Sequence, residues 1–490
     1  MLKKIRVLIQ LVVFIFLTLL FLDISGILHR WFEILAKLQF VPAILSLNFV
    51  IVVIWLLLSL FFGRIYCSTL CPLGTLQDIF SHVGGYVHKH RFSYVKEYKI
   101  FRYVTLAIFI ILLVIGLNGI ASLVEPYSAF GRIATFVFSP IYNIVNNMFA
   151  MMSERLDNYS FYRVDVFKKA NWAMLVSVIT LIFVFIISLR KGRVWCNTVC
   201  PVGTLVGLIA KISVFKVRFD EDKCIKCGIC SRNCKSRCID VSRMKVDDSR
   251  CVVCLDCIDN CPHGALKFAV AKKQKDDEVA VKDDVQGSVT RRTFLSVMGM
   301  FGASMVAKSQ KEVDGGLAKI LGKEDVSRRI FPVPPGATGI KNFYNRCTSC
   351  QLCVSSCPND VLKPSNSLET FMQPFMSYVD GYCRPECTIC SQVCPSGAIT
   401  KIDRAEKASV QIGHAKWSGE RCLAAQGVRC NNCEHHCPAE AIIMVKNEDG
   451  FMIPSVDVSR CIGCGACENL CPVRPYSAIY VEGYEVHGKI

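Results

Sequence analysis

The chain has 490 residues, 52% of them hydrophobic and 20% charged, with a mean hydropathy of +0.37. That balance excludes a disordered chain or an ordinary soluble globule, and the length allows several domains. The formal charge is +17, and 29 cysteines are present, an odd count too dilute for a small secreted disulfide scaffold.

Uninterrupted apolar runs occur only in the first 190 residues: Val7–Leu22, Ala43–Phe62, Val104–Val124 and Trp172–Leu189. Each is near the ~20 residues that cross a hydrocarbon core, so four membrane-spanning helices are predicted. The first lacks a small-residue cleavage site and reads as a span. Lys3, Lys4 and Arg6 precede the first run, and Arg64, Lys89, Arg91, Lys96, Lys99 and Arg102 separate the second from the third. Arg190, Lys191 and Arg193 follow the fourth, whereas Asp23–Pro42 carries only Arg30 and Lys37. The Glu125–Asn171 loop is a weaker exception, with five basic residues. This asymmetry predicts that both ends of the four-helix unit face the cytoplasm.

The unit contains a repeat. Gly63-Arg64-Ile65-Tyr66-Cys67-Ser68-Thr69-Leu70-Cys71-Pro72 returns as Gly192-Arg193-Val194-Trp195-Cys196-Asn197-Thr198-Val199-Cys200-Pro201 at an offset of 129. Two duplicated helix pairs are expected, each with a C-x3-C-P motif at the cytoplasmic end of its second helix. If both cysteines lie on one helix, i and i+4 share a face. Cys67, Cys71, Cys196 and Cys200 then form either one four-thiolate site or two redox-active dithiols.

Six further cysteine runs follow residue 220. Cys224, Cys227, Cys230 and Cys234 have the spacing C-x2-C-x2-C-x3-C. It recurs at Cys251, Cys254, Cys257, Cys261; at Cys347, Cys350, Cys353, Cys357; and at Cys461, Cys464, Cys467, Cys471. Two runs widen the first gap: Cys383, Cys387, Cys390, Cys394 and Cys422, Cys430, Cys433, Cys437. Three close thiolates wrap one corner of an iron–sulfur cube, and the fourth reaches the cube of the partner run. The expected ligand sets are therefore Cys224/227/230/261, Cys251/254/257/234, Cys347/350/353/394, Cys383/387/390/357, Cys422/430/433/471 and Cys461/464/467/437. They would hold six [4Fe–4S] clusters. Structural zinc is the alternative, but zinc sites use paired knuckles, not triplets with a displaced cysteine. Cys238 has no assigned partner and is an alternative ligand or a small buried residue. Lys235 stands where the other five runs have proline after the fourth cysteine.

Residues 271–289 read as a flexible linker of mixed charge. Thr290-Arg291-Arg292-Thr293-Phe294-Leu295 and the uncharged Ser296–Ala307 then look like a twin-arginine export signal. Because no A-x-A site follows, retention as a fifth anchor is expected. The predicted fold is thus a membrane helical bundle over 1–219 and a two-cluster α+β ferredoxin domain over 220–270. A signal or anchor occupies 290–308, a linker 309–340, and an exported four-cluster domain 341–490.

Residues 1–270 resemble the NapH family of membrane ferredoxin-type quinol dehydrogenase subunits, and NosR-like and CcoG-like proteins share parts of that layout. Residues 288–480 resemble the MauM/NapG family through the twin-arginine leader, Pro334-Pro335-Gly336-Ala337 and the wide-gap motif Cys422-Leu423-Ala424-Ala425-Gln426-Gly427-Val428-Arg429-Cys430. The resemblance implies a fused polyferredoxin of the bacterial inner membrane that oxidises quinol from the membrane quinone pool. It passes the electrons outward to an external reductase or cytochrome. Lys235 departs from the NapH pattern, and so does the fusion itself. Glu125, at the predicted outer end of the third span, is the candidate proton acceptor for quinol. A helix-ending interfacial carboxylate is the plainer reading of the same residue. The competing function is a CcoG-like assembly factor whose C-x3-C-P thiols reduce a metal. A nucleic-acid role has only the net charge behind it, with no basic groove or aromatic platform.

Overall fold

The computed structural model describes residues 2–22, 28–87, 92–155, 157, 163–164, 171–270, 312–314, 319–448 and 450–490. The linker and twin-arginine segment expected over 271–308 lie outside the described residues.

The first half is helical. Helices α1 (Leu2–Leu22), α2 (His29–Lys37), α3 (Phe40–Leu45), α4 (Phe49–Phe62), α5 (Ile65–Thr69), α6 (Pro72–Val87), α7 (Lys99–Ile115) and α8 (Asn118–Ala121) come first. They are followed by α9 (Pro126–Ile133), a π-helical turn, α10 (Ser139–Glu154), α11 (Asn171–Lys191), α12 (Val194–Thr198) and α13 (Pro201–Ala210). Among the described residues, two helices are long and apolar enough to cross a membrane, Leu2–Leu22 and Trp172–Lys191, each with a mean hydropathy of 2.7. Phe49–Phe62 and Pro201–Ala210 are shorter apolar helices.

Two predicted spans are interrupted. Ala43–Phe62 breaks at Leu47, which has φ +56°, and restarts at Asn48, whose side chain caps α4 by accepting from Ile51 N at 3.3 Å. Val104–Val124 ends early, because Gly116 adopts the left-handed conformation that closes α7. The sequence also placed Glu125–Asn171 in a loop. Instead, every residue of α9 is buried, and the helix packs on α6 and α11.

The repeat is visible in the backbone. Gly63 (φ +70°) and Gly192 (φ +62°) terminate α4 and α11 at equivalent positions. Pro72 and Pro201 then open α6 and α13, where a missing N–H costs nothing.

The cysteine-rich bodies are small α+β units built on two-stranded sheets. In the first, β1 (Phe215–Phe219) pairs antiparallel with β4 (Leu266–Val270), and β2 (Ile239–Asp240) pairs with β3 (Lys245–Val246). The first ladder, with Phe215 opposite Val270, clamps the ends of the segment carrying both cysteine runs. A short pair follows, β5 (Glu312–Asp314) with β6 (Lys319–Leu321). The second body uses β7 (Leu362–Pro364) with β8 (Pro374–Met376), β9 (Val410–Trp417) with β12 (Ile479–Lys489), and β10 (Ile442–Lys446) with β11 (Met452–Val456).

These bodies sit at opposite ends of the helices. At the start of α1, Lys3 pairs with Asp256 and Asp259 of the first body, and near its end Phe21 packs at Gly131, whose Cα faces the Cys350 carbonyl of the second. Helix α1 spans about 31 Å at 1.5 Å per residue. Helix α7 begins near Ser249, to which Arg102 donates at 3.1 Å, and ends where Asn118 donates to Asn345 O. Trp172 of α11 meets Phe371 with ring centroids 5.5 Å apart, and beyond its other end Arg193 N donates to Lys235 O at 2.9 Å. Ser46, just before α4, lies against Gly397, and Gly63, just after it, lies against Val253.

The helical region buries charged side chains within an apolar core and is apolar outside. Arg6, Gln10, Arg64, Arg102, Arg132 and Arg193 are buried. Leu8, Ile15, Phe49, Val53, Ile108, Val114, Met148, Ile182 and Ile186 are exposed around the rim. A water-soluble helical domain presents mainly polar side chains on its outer face.

Candidate metal centres

The four strictly spaced runs share one backbone signature. The residue before the second cysteine and the residue after it both have positive φ. The pairs are Lys226 and Gly228, Val253 and Leu255, Ser349 and Gln351, and Gly463 and Gly465. Alternating left-handed residues curl the chain into a nest of N–H groups around the thiols. Val253 is β-branched, so its φ of +51° is strained, a cost tolerated where function over-determines the backbone. No turn residue in the sequence announces this at Val253, Leu255 or Gln351.

Four of the predicted quartets line cavities together. Cys224, Cys227, Cys230 and Cys261 surround one, and Cys383, Cys387, Cys390 and Cys357 another. Cys422, Cys430, Cys433 and Cys471 line a third, and Cys461, Cys464, Cys467 and Cys437 a fourth. The remaining two quartets are also brought together. Cys353 lies within electrostatic reach of Cys347, Cys350 and Cys394, and Cys257 within reach of Cys251, Cys254 and Cys234. Among the described residues, no three His, Cys, Asp or Glu side chains converge closely enough to hold a single ion. A cube with a thiolate at each corner fits these donors better.

Backbone donors reach the displaced cysteines. Cys261 Sγ accepts from Ala265 N at 3.3 Å, Cys394 Sγ from Ile399 N at 3.4 Å and Cys437 Sγ from Ala441 N at 3.3 Å. Hydrogen bonds to sulfur help to set a cluster's potential.

Cys238 lies inside the second quartet. Its sulfur is 3.6 Å from Cys234 Sγ, and it also hydrogen-bonds to Cys251. The bonds to those two sulfurs, together with burial, push the Cys238 thiol well above its ordinary range, so it stays protonated as a donor. Lys235, the departure from proline, has a structural role. Its ammonium bridges Asp256 at 3.1 Å and Asp78 at 3.7 Å, tying the first body to α6.

The C-x3-C-P cysteines do not share a continuous helix. Cys67 and Cys196 lie in the short helices α5 and α12, whereas Cys71 and Cys200 precede the prolines that open α6 and α13. A residue before proline is driven out of the helical region, which corrects the i, i+4 expectation. Cys200 Sγ instead caps α13, accepting from Gly203 N at 3.3 Å. The two copies embrace each other. Arg64 donates to Cys196 O at 2.9 Å, and Arg193 donates to Cys67 O at 2.5 Å.

Glu125 is buried and begins a helix instead of ending the third span. It caps α9, its carboxylate accepting from Tyr127 N at 3.1 Å and from Ser128 N. The same turn touches the second body, because Ser128 Oγ donates to Thr348 O at 2.6 Å.

A family profile described as a 4Fe-4S binding domain matches residues 46–92 and 171–220, and a 4Fe-4S dicluster domain profile matches 427–474. The chain is 33% identical over 196 residues to the methylamine utilization ferredoxin-type protein MauM of Methylobacillus flagellatus, covering 37% of this chain and 76% of that protein. The ferredoxin-type protein NapG of Escherichia coli K12 is 33% identical over 175 residues, covering 32% and 75% respectively. The chain belongs to the MauM/NapG group of ferredoxin-type proteins. The putative electron transport protein YccM of E. coli K12 is 27% identical over 220 residues, covering 44% of this chain and 53% of YccM. No solved structure matches. This MauM/NapG-type chain is an iron–sulfur electron-transfer protein, and it has a redox partner that accepts its electrons.

Proposed function

We propose that this chain is a membrane-embedded relay that oxidises quinol and sends the electrons through six [4Fe–4S] clusters to an external respiratory acceptor. The observation that carries the reading is the arrangement of two cysteine-rich bodies at opposite ends of a helical bundle whose outside is apolar and whose core also buries arginines. Lipid accounts for the apolar exterior, which is favourable against hydrocarbon, and the buried arginines find internal partners. Two clusters then lie on the cytoplasmic side of a bacterial inner membrane and four on the other, with the twin-arginine segment carrying the second body across. The quartets named above are the ligands, and each cube supplies one-electron chemistry when bound.

The residues of this chain manage the proton. Quinol oxidation releases protons as well as electrons, and Glu125 is proposed to accept one. Its carboxylate is held by two backbone N–H groups beside the second body, and the hydroxyl of neighbouring Tyr127 is buried without a hydrogen-bond partner among the described residues. A metal-reducing role for the C-x3-C-P thiols is less well supported, since all four are buried away from an incoming ion.

Titrating the purified protein with menaquinol tests the proposal. Rapid bleaching of cluster absorbance is expected. Clusters that dithionite reduces and menaquinol does not would refute it.

A further inference from the structure

Electrons pass between cubes by tunnelling, which weakens steeply with distance, so the route through the second body depends on which cubes are neighbours. Each cube is named below by the first cysteine of its run. Within a pair of runs the exchanged fourth cysteine makes the two cubes neighbours. Spacing says nothing of how one pair meets the next, and chain order puts the Cys422 run directly after the Cys383 run. The fold joins them differently.

The second body meets the bundle through its first pair. Ser128 Oγ donates to Thr348 O at 2.6 Å, and a Cβ at Gly131 would stand 2.2 Å from Cys350 O. Lys401, beyond the Cys383 run, pairs with Glu33 of α2 at 2.9 Å. Among the described residues, the apolar core of the bundle takes in Cys350 and Cys353 of this body and no cysteine of the Cys422 or Cys461 runs.

The two pairs join at Cys383 and Cys464. Cys383 N donates to Cys464 O at 2.9 Å, so the two ligand loops touch through their backbones. Tyr378, fully buried, holds the same point. Its hydroxyl donates to Gly463 O at 2.7 Å, and Asn469 Nδ2 donates to Tyr378 O at 2.8 Å. The ring lies so close to Gly465 that a Cβ there would stand 2.1 Å from it. Gly465 also has φ +79°, so the position needs glycine twice over. The packing divides the same way. Cys383 and Cys390 share one core with Tyr378, Cys353 and Cys357. Cys422, Cys430 and Cys433 share another with Cys461 and Cys467, and among the described residues that core takes in no cysteine of the Cys383 run.

We propose that the four cubes of the second body are wired in the order Cys347, Cys383, Cys461, Cys422, with the crossing between pairs at the Cys383–Cys464 contact. The inference rests on the six-cube reading above and orders its external half. The last two cubes are used in the reverse of their chain order, which makes the cube of the wide-gap run the terminal one. A terminal cube, with a single neighbour and no place against the bundle, is the one that hands electrons to the redox partner.

The test is low-temperature EPR of the full-length protein, purified anaerobically in detergent and fully photoreduced. Wild type is compared with Cys387→Ser/Cys390→Ser, Cys464→Ser/Cys467→Ser and Cys430→Ser/Cys433→Ser. Each variant should lose about four irons and the signal of one reduced cube, which assigns that signal. A reduced cube also broadens the signals of its neighbours and speeds their relaxation. Loss of the Cys461 cube should release that effect in two signals, those of the Cys383 and Cys422 cubes. Loss of the Cys422 cube should release it in the Cys461 signal alone. Release of the Cys383 signal on loss of the Cys422 cube overturns the order, and so does a Cys383 signal indifferent to loss of the Cys461 cube. Unchanged iron in a variant refutes the six-cube reading at that quartet, and the order falls with it. Where the serine variants fail to assemble, the iron positions in a cryo-EM map of the wild-type holoprotein decide. A Cys383 cube nearer to the Cys461 cube than to the Cys422 cube supports the order, and the reverse overturns it.

Discussion

Replacing Asp78 with Asn isolates the contact that locks the two helical repeats together. Asp78 accepts from Arg193 Nε at 2.7 Å and Nη2 at 2.6 Å, Arg193 is fully buried, and Lys235 Nζ lies 3.7 Å from the same carboxylate. The amide keeps the shape and one acceptor oxygen but removes the charge, leaving Arg193 inside the bundle with carbonyl acceptors and no anionic partner in Asp78's place. Breaking a buried pair from one side costs about 3–5 kcal/mol, most of it the stranded charge. Asp78→Asn and Arg193→Gln should therefore each destabilise by about that amount, whereas the double variant, with neither charge left, should cost well under the sum of the two. Pulse proteolysis across a guanidinium series, in one detergent, measures all four corners of the cycle. Additive losses would refute the reasoning, and so would a cost below about 1 kcal/mol for Asp78→Asn, the range of an exposed pair.

Glu125→Gln should abolish menaquinol-driven bleaching while leaving dithionite reduction intact, read by stopped-flow absorbance. Cys238→Ala removes a thiol donor from the Cys234 and Cys251 sulfurs, so the midpoint potential of that cluster should fall by about 40 mV, the equivalent of one hydrogen bond of about 1 kcal/mol. EPR-monitored redox titration measures it. Lys replacing Arg291 and Arg292 should leave the C-terminal half inside intact spheroplasts, protected from added protease that cuts the unmodified protein. Burial lowers the pKa of His487 to about 4, so its neutral form is the stable one in the fold. Its contribution is complete above the unfolded value of about 6.5 and is lost as pH falls toward 4. His487→Phe should flatten that part of the stability–pH curve relative to wild type.

The closeness of the cysteines within each run was legible because spacing limits how far they can part: in four of the six runs three thiols fall within seven residues, able to reach three corners of one cube. The break at Cys71 was legible too, since Pro72 bars its predecessor from a helix, but the i, i+4 spacing of the thiols pointed the other way. Val253 and Leu255 gave no turn signal, because their left-handed backbone is imposed by what the loop encloses, against local preference. Helix α9 was misread as part of a loop for a related reason. Its small residues, Ser128, Ala129 and Gly131, allow close approach to the bundle and to Cys350, which hydropathy does not register.

The excess of basic residues divides into two populations with different causes. Those flanking the helices, Lys96, Lys99, Arg190 and Lys191 among them, fit the orientation rule for membrane loops. Arg64, Arg102, Arg132 and Arg193 do not, because each is fully or almost fully buried. Two of these four pair with carboxylates, Arg102 with Glu97 and Arg193 with Asp78. Arg132 donates to the Ser122 and Leu123 carbonyls close to Glu125, and Arg64 turns toward the thiols. Arginine suits these positions because its fixed fork meets several carbonyls at once and its charge survives burial. Buried cations of this kind lower the cost of holding negative charge nearby, which is what the proposed quinol oxidation asks of the surroundings of Glu125.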